Sequence, residues 1–187
     1  MNWKGNLKKK LTAVLSAGVL AVTGPVSAMS GMTASAQPSA GTYGDALKLS
    51  LYFFDANQCG ADDNVLTWRG KCHTYDAEAS LSSAKGLSSS SVAAIKAANG
   101  GLDTVDVSGG YHDAGDHLKF SNTMGYSCTN LAWSYFENPD SYKETGSEDH
   151  LLYILKKMCD YFMKVTYLDD SGNVIAFCYM VGDDQDH

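Results

Sequence analysis

The sequence predicts an all-α fold, because three separate stretches repeat apolar residues at helical spacing while only one short run near the end reads as extended. Residues 43–57 place Tyr43, Ala46, Leu47, Leu51 and Phe54 on one face, a wide apolar stripe suited to a helix packed on a core. From Asp116 onward, Met124, Cys128, Leu131 and Tyr135 keep the same spacing. That helix is predicted to stop at Asn138-Pro139-Asp140, since the residue before a proline is pushed out of the helical conformation. Residues 148–166 carry the strongest pattern, with Leu151, Ile154, Leu155, Met158, Phe162 and Val165 in phase. Glu148 and Asp149 open this helix, where carboxylates suit the positive end of the helix dipole.

The segments between are less regular. Asp76 to Asp106 is rich in Ser, Ala and Gly, includes Ser88-Ser89-Ser90-Ser91, and offers one short helical patch at Val92 to Ala98, so it is expected to be an excursion loop. The turn Asp169-Asp170-Ser171-Gly172-Asn173 leads into Val174 to Met180, which is expected to be extended. No internal repeat is visible.

The first 36 residues read as a secretory signal peptide. Lys4 and Lys8-Lys9-Lys10 form a basic start, Leu11 to Val22 an apolar centre, and Ala34-Ser35-Ala36 a small-residue cleavage site, with Ala28 a second choice. The apolar run is short of the ~20 residues that a membrane-spanning helix needs, and Gly24-Pro25 interrupts it. A secreted protein with no membrane partner is therefore expected. Removing this leader takes away four lysines and no acids, which moves the formal charge from −7 to −11 and argues against nucleic acid as a partner. A neutral polymer suits such a chain better, because aromatic faces and hydrogen bonds rather than charge would make the contacts. What remains is enough chain for one ordinary core.

The chemistry concentrates in Ser108-Gly109-Gly110-Tyr111-His112-Asp113-Ala114-Gly115-Asp116-His117-Leu118-Lys119-Phe120. Two aspartates three positions apart can converge on one water, each discouraging ionisation of the other, which equips a loop to activate that water. By spacing alone, an acidic surface turn is the better reading of Asp-x-x-Asp. The whole ordered string, followed by an apolar periodic stretch, resembles the catalytic aspartate motif of glycoside hydrolase family 9, a family dominated by cellulases. Tyr43-Gly44-Asp45-Ala46-Leu47 with Phe53-Phe54 resembles that family's first catalytic-domain helix, and Thr67-Trp68-Arg69-Gly70 the loop after it. Val181-Gly182-Asp183-Asp184-Gln185-Asp186-His187 resembles the segment that brings a histidine into the substrate cleft.

The resemblance runs from about residue 41 to the last residue and implies an (α/α)6 barrel of the six-hairpin type, of which these residues 37–187 are the N-terminal portion. It implies an inverting endo-β-1,4-glucanase acting on cellulose or related β-glucans, with Asp116 as the base and Asp113 orienting the water. Inversion needs a second carboxyl about 6.5–9.5 Å away as proton donor. The resemblance places that glutamate beyond this chain, so the 187 residues alone are expected to be inactive; Glu137, Glu144 and Glu148 read as solvated helix residues. The alternative function is a non-catalytic glycan-binding or assembly protein that keeps the fold without the acid.

Cys59, Cys72, His73 and His112 make a second constellation, a tetrahedral zinc ligand set if the fold unites them. Their spacing leaves a Cys59–Cys72 disulfide open, which export would permit. The resemblance favours a structural Zn2+, since some family members carry a Cys-His pair and a histidine beside the first motif aspartate. Cys128, Cys159 and Cys178 occupy apolar positions and read as buried free thiols. His187 is implied to contact substrate. Trp68 is either an aromatic platform for a sugar ring or a packed loop anchor beside Arg69.

Asp62-Asp63-Asn64 lacks a calcium-loop pattern and reads as an acidic solvated turn, so any Ca2+ site, like any appended binding or dockerin module, would belong to polypeptide outside this chain. No phosphate loop, Gly-x-Ser-x-Gly elbow or His-Glu-x-x-His helix is present, and no organic cofactor is expected.

Overall fold

A computed structural model describes residues 40–60, 64–115 and 117–182. The expected signal peptide, Asp116, and residues 183–187, with His187, lie outside the described residues. The order is α1 (Ala40–Asn57), α2 (Ser89–Ala98), α3 (Ser121–Glu137), α4 (Pro139–Glu144) and α5 (Glu148–Lys164). Short strands fall between and after them: β1 (Ala79–Ser80), β2 (Thr104–Val105), β3 (Lys119–Phe120), β4 (Thr166–Leu168), β5 (Val174–Phe177) and β6 (Met180–Val181). They form three antiparallel pairs, β1 with β2, β3 with β6 and β4 with β5. No described helix is long and apolar enough to cross a membrane.

Helix α5 behaves as its pattern predicts. Leu151, Ile154, Met158, Tyr161 and Val165 are buried on one face, and Glu148 and Asp149 occupy its first turn. The chain leaves the helix earlier than the periodicity suggests, because Thr166–Leu168 pairs with Val174–Phe177 as a hairpin closed by the Asp169 turn, whose carboxylate accepts the backbone N–H groups of Ser171 and Asn173. The run at Val174 is thus a strand.

Two further elements escaped the sequence pattern. Pro139 does end α3, but it also opens α4 from its first turn, where a missing N–H costs nothing. The Ser-rich stretch begins α2 three residues before the helical patch, since the Ser88 hydroxyl caps the N–H of Ser91. The rest of the expected loop is also ordered, as a 3-10 turn at Thr74–Glu78, a second at Leu81–Ser83, and the β1–β2 pair.

Helix α1 buries Leu51 and half-buries Leu47 and Phe54, whereas Tyr43 stays exposed. It meets α5 through polar groups as well. His150 Nε2 sits 2.7 Å from the Oδ2 of fully buried Asp55, and Gln58 donates to the Tyr153 hydroxyl at 3.0 Å. Burial pushes the Asp55 carboxyl up, while His150 opposes that shift.

Candidate functional site

The end of α1 is stitched to the residues ahead of the Asp113 motif. Gln58 and Tyr111 form an antiparallel bridge, Cys59 N–H donates to Gly110 O at 2.9 Å, and His112 N–H donates to Asn57 O at 2.8 Å. This stitching requires glycine twice. A Cβ on Gly60 would meet Gly109 N at 3.1 Å and one on Gly110 would meet the Tyr161 ring at 2.9 Å, and both residues have positive φ. Cys59 and His112 thereby come side by side.

Cys72 and His73 arrive from the loop after α1. Arg69 anchors that loop by donating from Nε to Ala56 O at 2.9 Å and from Nη2 to Gln58 O at 3.0 Å and Cys72 Sγ at 3.1 Å. Trp68 itself is 71% exposed, so the packed-anchor reading fails for it: the anchor is Arg69. His73 takes a left-handed conformation, φ 50°, which turns its ring inward as the 3-10 turn begins.

The four side chains converge as the sequence proposed. One ligand atom from each of Cys59, Cys72, His73 and His112 lies within 4.8 Å of all the others, with Cys72 Sγ 3.4 Å from His112 Nε2. Both cysteines are free thiols. His112 Nδ1 is 2.8 Å from His117 O, and a carbonyl can only accept, so the ring carries its proton on Nδ1 and turns the Nε2 lone pair toward Cys72. Burial lowers the His112 pKa to about 4 and also lowers that of His73, which keeps both rings neutral. Burial raises the Cys59 thiol to about 12. His73 Nδ1 is buried with no hydrogen-bond partner. Neutral imidazoles, an orphaned ring nitrogen and thiols in need of a compensating cation fit a divalent metal.

His117 was not singled out among the expected ligands, yet its ring lies 5.3 Å from that of His73 and 5.1 Å from that of His112. Lys119 was missed altogether. Its ammonium, 2% exposed, donates to Asp76 Oδ2 at 2.7 Å and Val107 O at 2.6 Å, and lies over the Tyr161 ring. It ties the turn after His73 to both ends of the aspartate loop. Asp113 N–H donates to Leu118 O at 2.7 Å, which closes the loop at its base and leaves Asp113 exposed beside a small cavity lined by Phe54, Tyr111, Met124 and Met158.

The three glutamates weighed as solvated residues divide. Glu137 and Glu144 are exposed, while Glu148 is half-buried and accepts the Tyr135 hydroxyl. Cys159 is exposed rather than buried, because it lies at the edge of the α5 stripe, one turn from half-buried Leu155 and Phe162; Cys128 and Cys178 are half-buried.

Residues 43–187 match the family model described as Glycosyl hydrolase family 9. The chain belongs to glycosyl hydrolase family 9. Among its relatives, Endoglucanase B of Cellulomonas fimi is 32% identical over 82% of this chain and 13% of that protein. Endoglucanase 5 of Oryza sativa subsp. japonica is 32% identical over 81% of this chain and 23% of its own length. The family 9 chain also resembles the solved catalytic domain of Clostridium thermocellum CelT, with TM-score 0.72 and 42% identity over 76% of this chain and 30% of that domain. The cellulase Cel9M of C. cellulolyticum follows at TM-score 0.56 and 38% identity, over 78% of this chain and 29% of that one. The all-α expectation holds: the helices are those of a family 9 catalytic domain, part of an (α/α)6 barrel. The chain spans less than a quarter of the two curated relatives' length and less than a third of these solved domains.

Proposed function

We propose that residues 37–187 form the N-terminal part of a secreted, inverting endo-β-1,4-glucanase, with residues 1–36 as its signal peptide. The observation that carries this reading is the Asp113-Ala114-Gly115-Asp116 segment in a family 9 chain, held at its root by the His112-to-Asn57 and Asp113-to-Leu118 hydrogen bonds. Asp116 is the base that takes a proton from water as the oxygen attacks the anomeric carbon. Asp113 holds that water through a second hydrogen bond, so the attack occurs along one line. A carboxylic acid on the opposite sugar face must protonate the leaving oxygen, and it comes from polypeptide outside this chain. His187 and Trp68 contact the polysaccharide, Trp68 by laying its exposed ring on a pyranose face.

Cys59, Cys72, His73 and His112 bind Zn2+ as a closed four-ligand site. These four residues would leave a bound ion no open position for substrate; its positive charge would offset the buried Cys59 thiolate and fix the root of the aspartate loop. Metal analysis of the purified protein should find one zinc, lost in His112→Ala; a Cys59–Cys72 disulfide in mass spectrometry would overturn this assignment.

The full gene product should release reducing sugar from soluble β-glucan, and Asp116→Ala should lower turnover by roughly 10²–10⁴-fold. Proton NMR of the first product should show the inverted anomer. The isolated 187 residues should release none. Full turnover in a folded Asp116→Ala enzyme would defeat the reading.

A further inference from the structure

Five cysteines pose a problem that the metal cluster solves only in part, since it uses Cys59 and Cys72 and leaves three. Two of those three face each other across the α3–α5 contact. The helices run antiparallel, as two independent contacts show. A Cβ on Gly125, near the start of α3, would lie 3.8 Å from Phe162 Cζ near the end of α5, while the Tyr135 hydroxyl near the end of α3 reaches Glu148 at the start of α5. Moving one turn along α3 from Gly125 gives Cys128, and moving one turn back along α5 from Phe162 gives Cys159. In an antiparallel pair such steps stay on the facing line.

Packed helices lie about 8–10 Å apart on Cα cylinders of about 2.3 Å radius, so facing Cα atoms approach to about 3.4–5.4 Å, a range that overlaps the about 4.4–6.8 Å that a disulfide spans. Burial, and after it the charge and hydrogen bond of Cys159, push the Cys128 thiol up to about 11, so the two sulfurs already interact.

We propose that Cys128 and Cys159 are a redox pair that closes to a disulfide between α3 and α5. The inference does not depend on the glucanase reading. Exposed Cys159 is the entry point. Its thiolate attacks the disulfide of an oxidant, a thiol–disulfide oxidoreductase in the cell or oxidised glutathione in the test tube, and releases one reduced thiol. Cys128, deprotonated in turn, attacks the Cys159 sulfur and expels the second. Two protein thiols lose two electrons and two protons, and one oxidant disulfide becomes two thiols.

The bridge would link residues about 30 positions apart. It would also clamp the floor of the site, because Ser127 and Met158, the immediate neighbours of the two cysteines, line the small cavity beside Asp113. Cys178 remains as a half-buried thiol at the end of β5, packed on the core, which accounts for the odd cysteine.

Trypsin makes the test unambiguous. Cleavage after Lys119, Lys143, Lys157 and Lys164 yields peptides 120–143 and 158–164, each with a single cysteine. The zinc-loaded 187-residue chain, exposed to excess oxidised glutathione and then alkylated and digested, should give these two peptides joined, two hydrogens lighter than their sum. Cys159→Ser should abolish the joined species and return peptide 120–143 alkylated. The oxidised wild type should unfold several degrees above the reduced form, a shift that Cys159→Ser lacks. Recovery of both peptides alkylated, Cys159 ending as a glutathione adduct, or Cys128 joined to Cys178 would each overturn the proposal.

Discussion

The root of the aspartate loop and the outward faces of α1 and α3 are built on opposite principles. At the root, polar groups withdrawn from solvent are paired, although His73 Nδ1 stays unpartnered: Lys119 with Asp76 and Val107 O, half-buried Arg69 with four acceptors, and His112 with His117 O. On the outward faces, large apolar side chains meet solvent, with Phe53 64%, Tyr126 74%, Trp133 62% and Phe136 77% exposed. A buried charge without its partner is costly, whereas an exposed ring is merely sticky. The first region therefore governs whether the site holds its shape, and the second is apolar area, in this part of the barrel, open to contact with other polypeptide.

Breaking the root at Lys119 should have the largest effect. Lys119→Met leaves Asp76 charged and buried, which costs about 3–5 kcal/mol in urea unfolding. The double variant Lys119→Met with Asp76→Leu removes both charges and should recover most of that loss. A single variant as stable as the wild type would mean that the pair is solvated, and the contrast drawn above would fail.

Acid attacks the same region through the imidazoles. In zinc-free protein, His112 has a folded pKa of about 4 against an ordinary 6.5, so it stays neutral while folded and gains a proton on unfolding. The unfolded state thus binds more protons between the two values, and stability falls as pH drops from about 6.5 toward 4, where the folded ring protonates too. The shift corresponds to at most about 3.5 kcal/mol. His73 shifts in the same direction. Urea midpoints measured across this range should fall with pH, and His112→Gln should flatten the curve. A midpoint independent of pH would show that the rings protonate freely in the folded state.

Backbone geometry comes next. Gly110→Ala combines a φ of 77° with a Cβ 2.9 Å from the Tyr161 ring. It should cost about 1–3 kcal/mol. Gly86→Ala shares a positive φ but meets nothing within 4 Å, so it should cost less. Equal losses in the two variants would assign the whole effect to backbone conformation and none to the close approach.

These contrasts follow how far apart the interacting residues lie in the chain. The stripe of α5 was legible because Leu151, Ile154, Met158 and Val165 repeat within one helix. The four-residue cluster was legible by residue type and family resemblance, although the contacts that unite it were not: the bridge of Gln58 with Tyr111 sets Cys59 beside His112, and the Arg69-anchored loop brings in Cys72 and His73. Lys119 and Asp76 are 43 positions apart, and nothing local in either distinguishes a buried ion pair from two surface charges. Arg69 was hidden for the same reason: its four acceptors are three backbone carbonyls and a sulfur, none announced by sequence. Helix α4 was hidden by Pro139, which stops one helix and starts the next.

The smallest effect on unfolding should come from the outward face. Trp133 and Phe136 contact each other, ring centroids 6.3 Å apart, but both are mostly exposed. Replacing both with serine should move stability by no more than about 0.5 kcal/mol, the range of ordinary surface changes, while losing at most a weak ring–ring contact. Self-association should respond far more, because the substitution removes two of the most exposed rings of α3. Light scattering across a concentration series would then show a smaller mean size for the double variant at unchanged urea midpoint. A large fall in the midpoint would instead mean that these rings brace α3 from outside, and that the division between a matched interior root and an adhesive exterior is drawn in the wrong place.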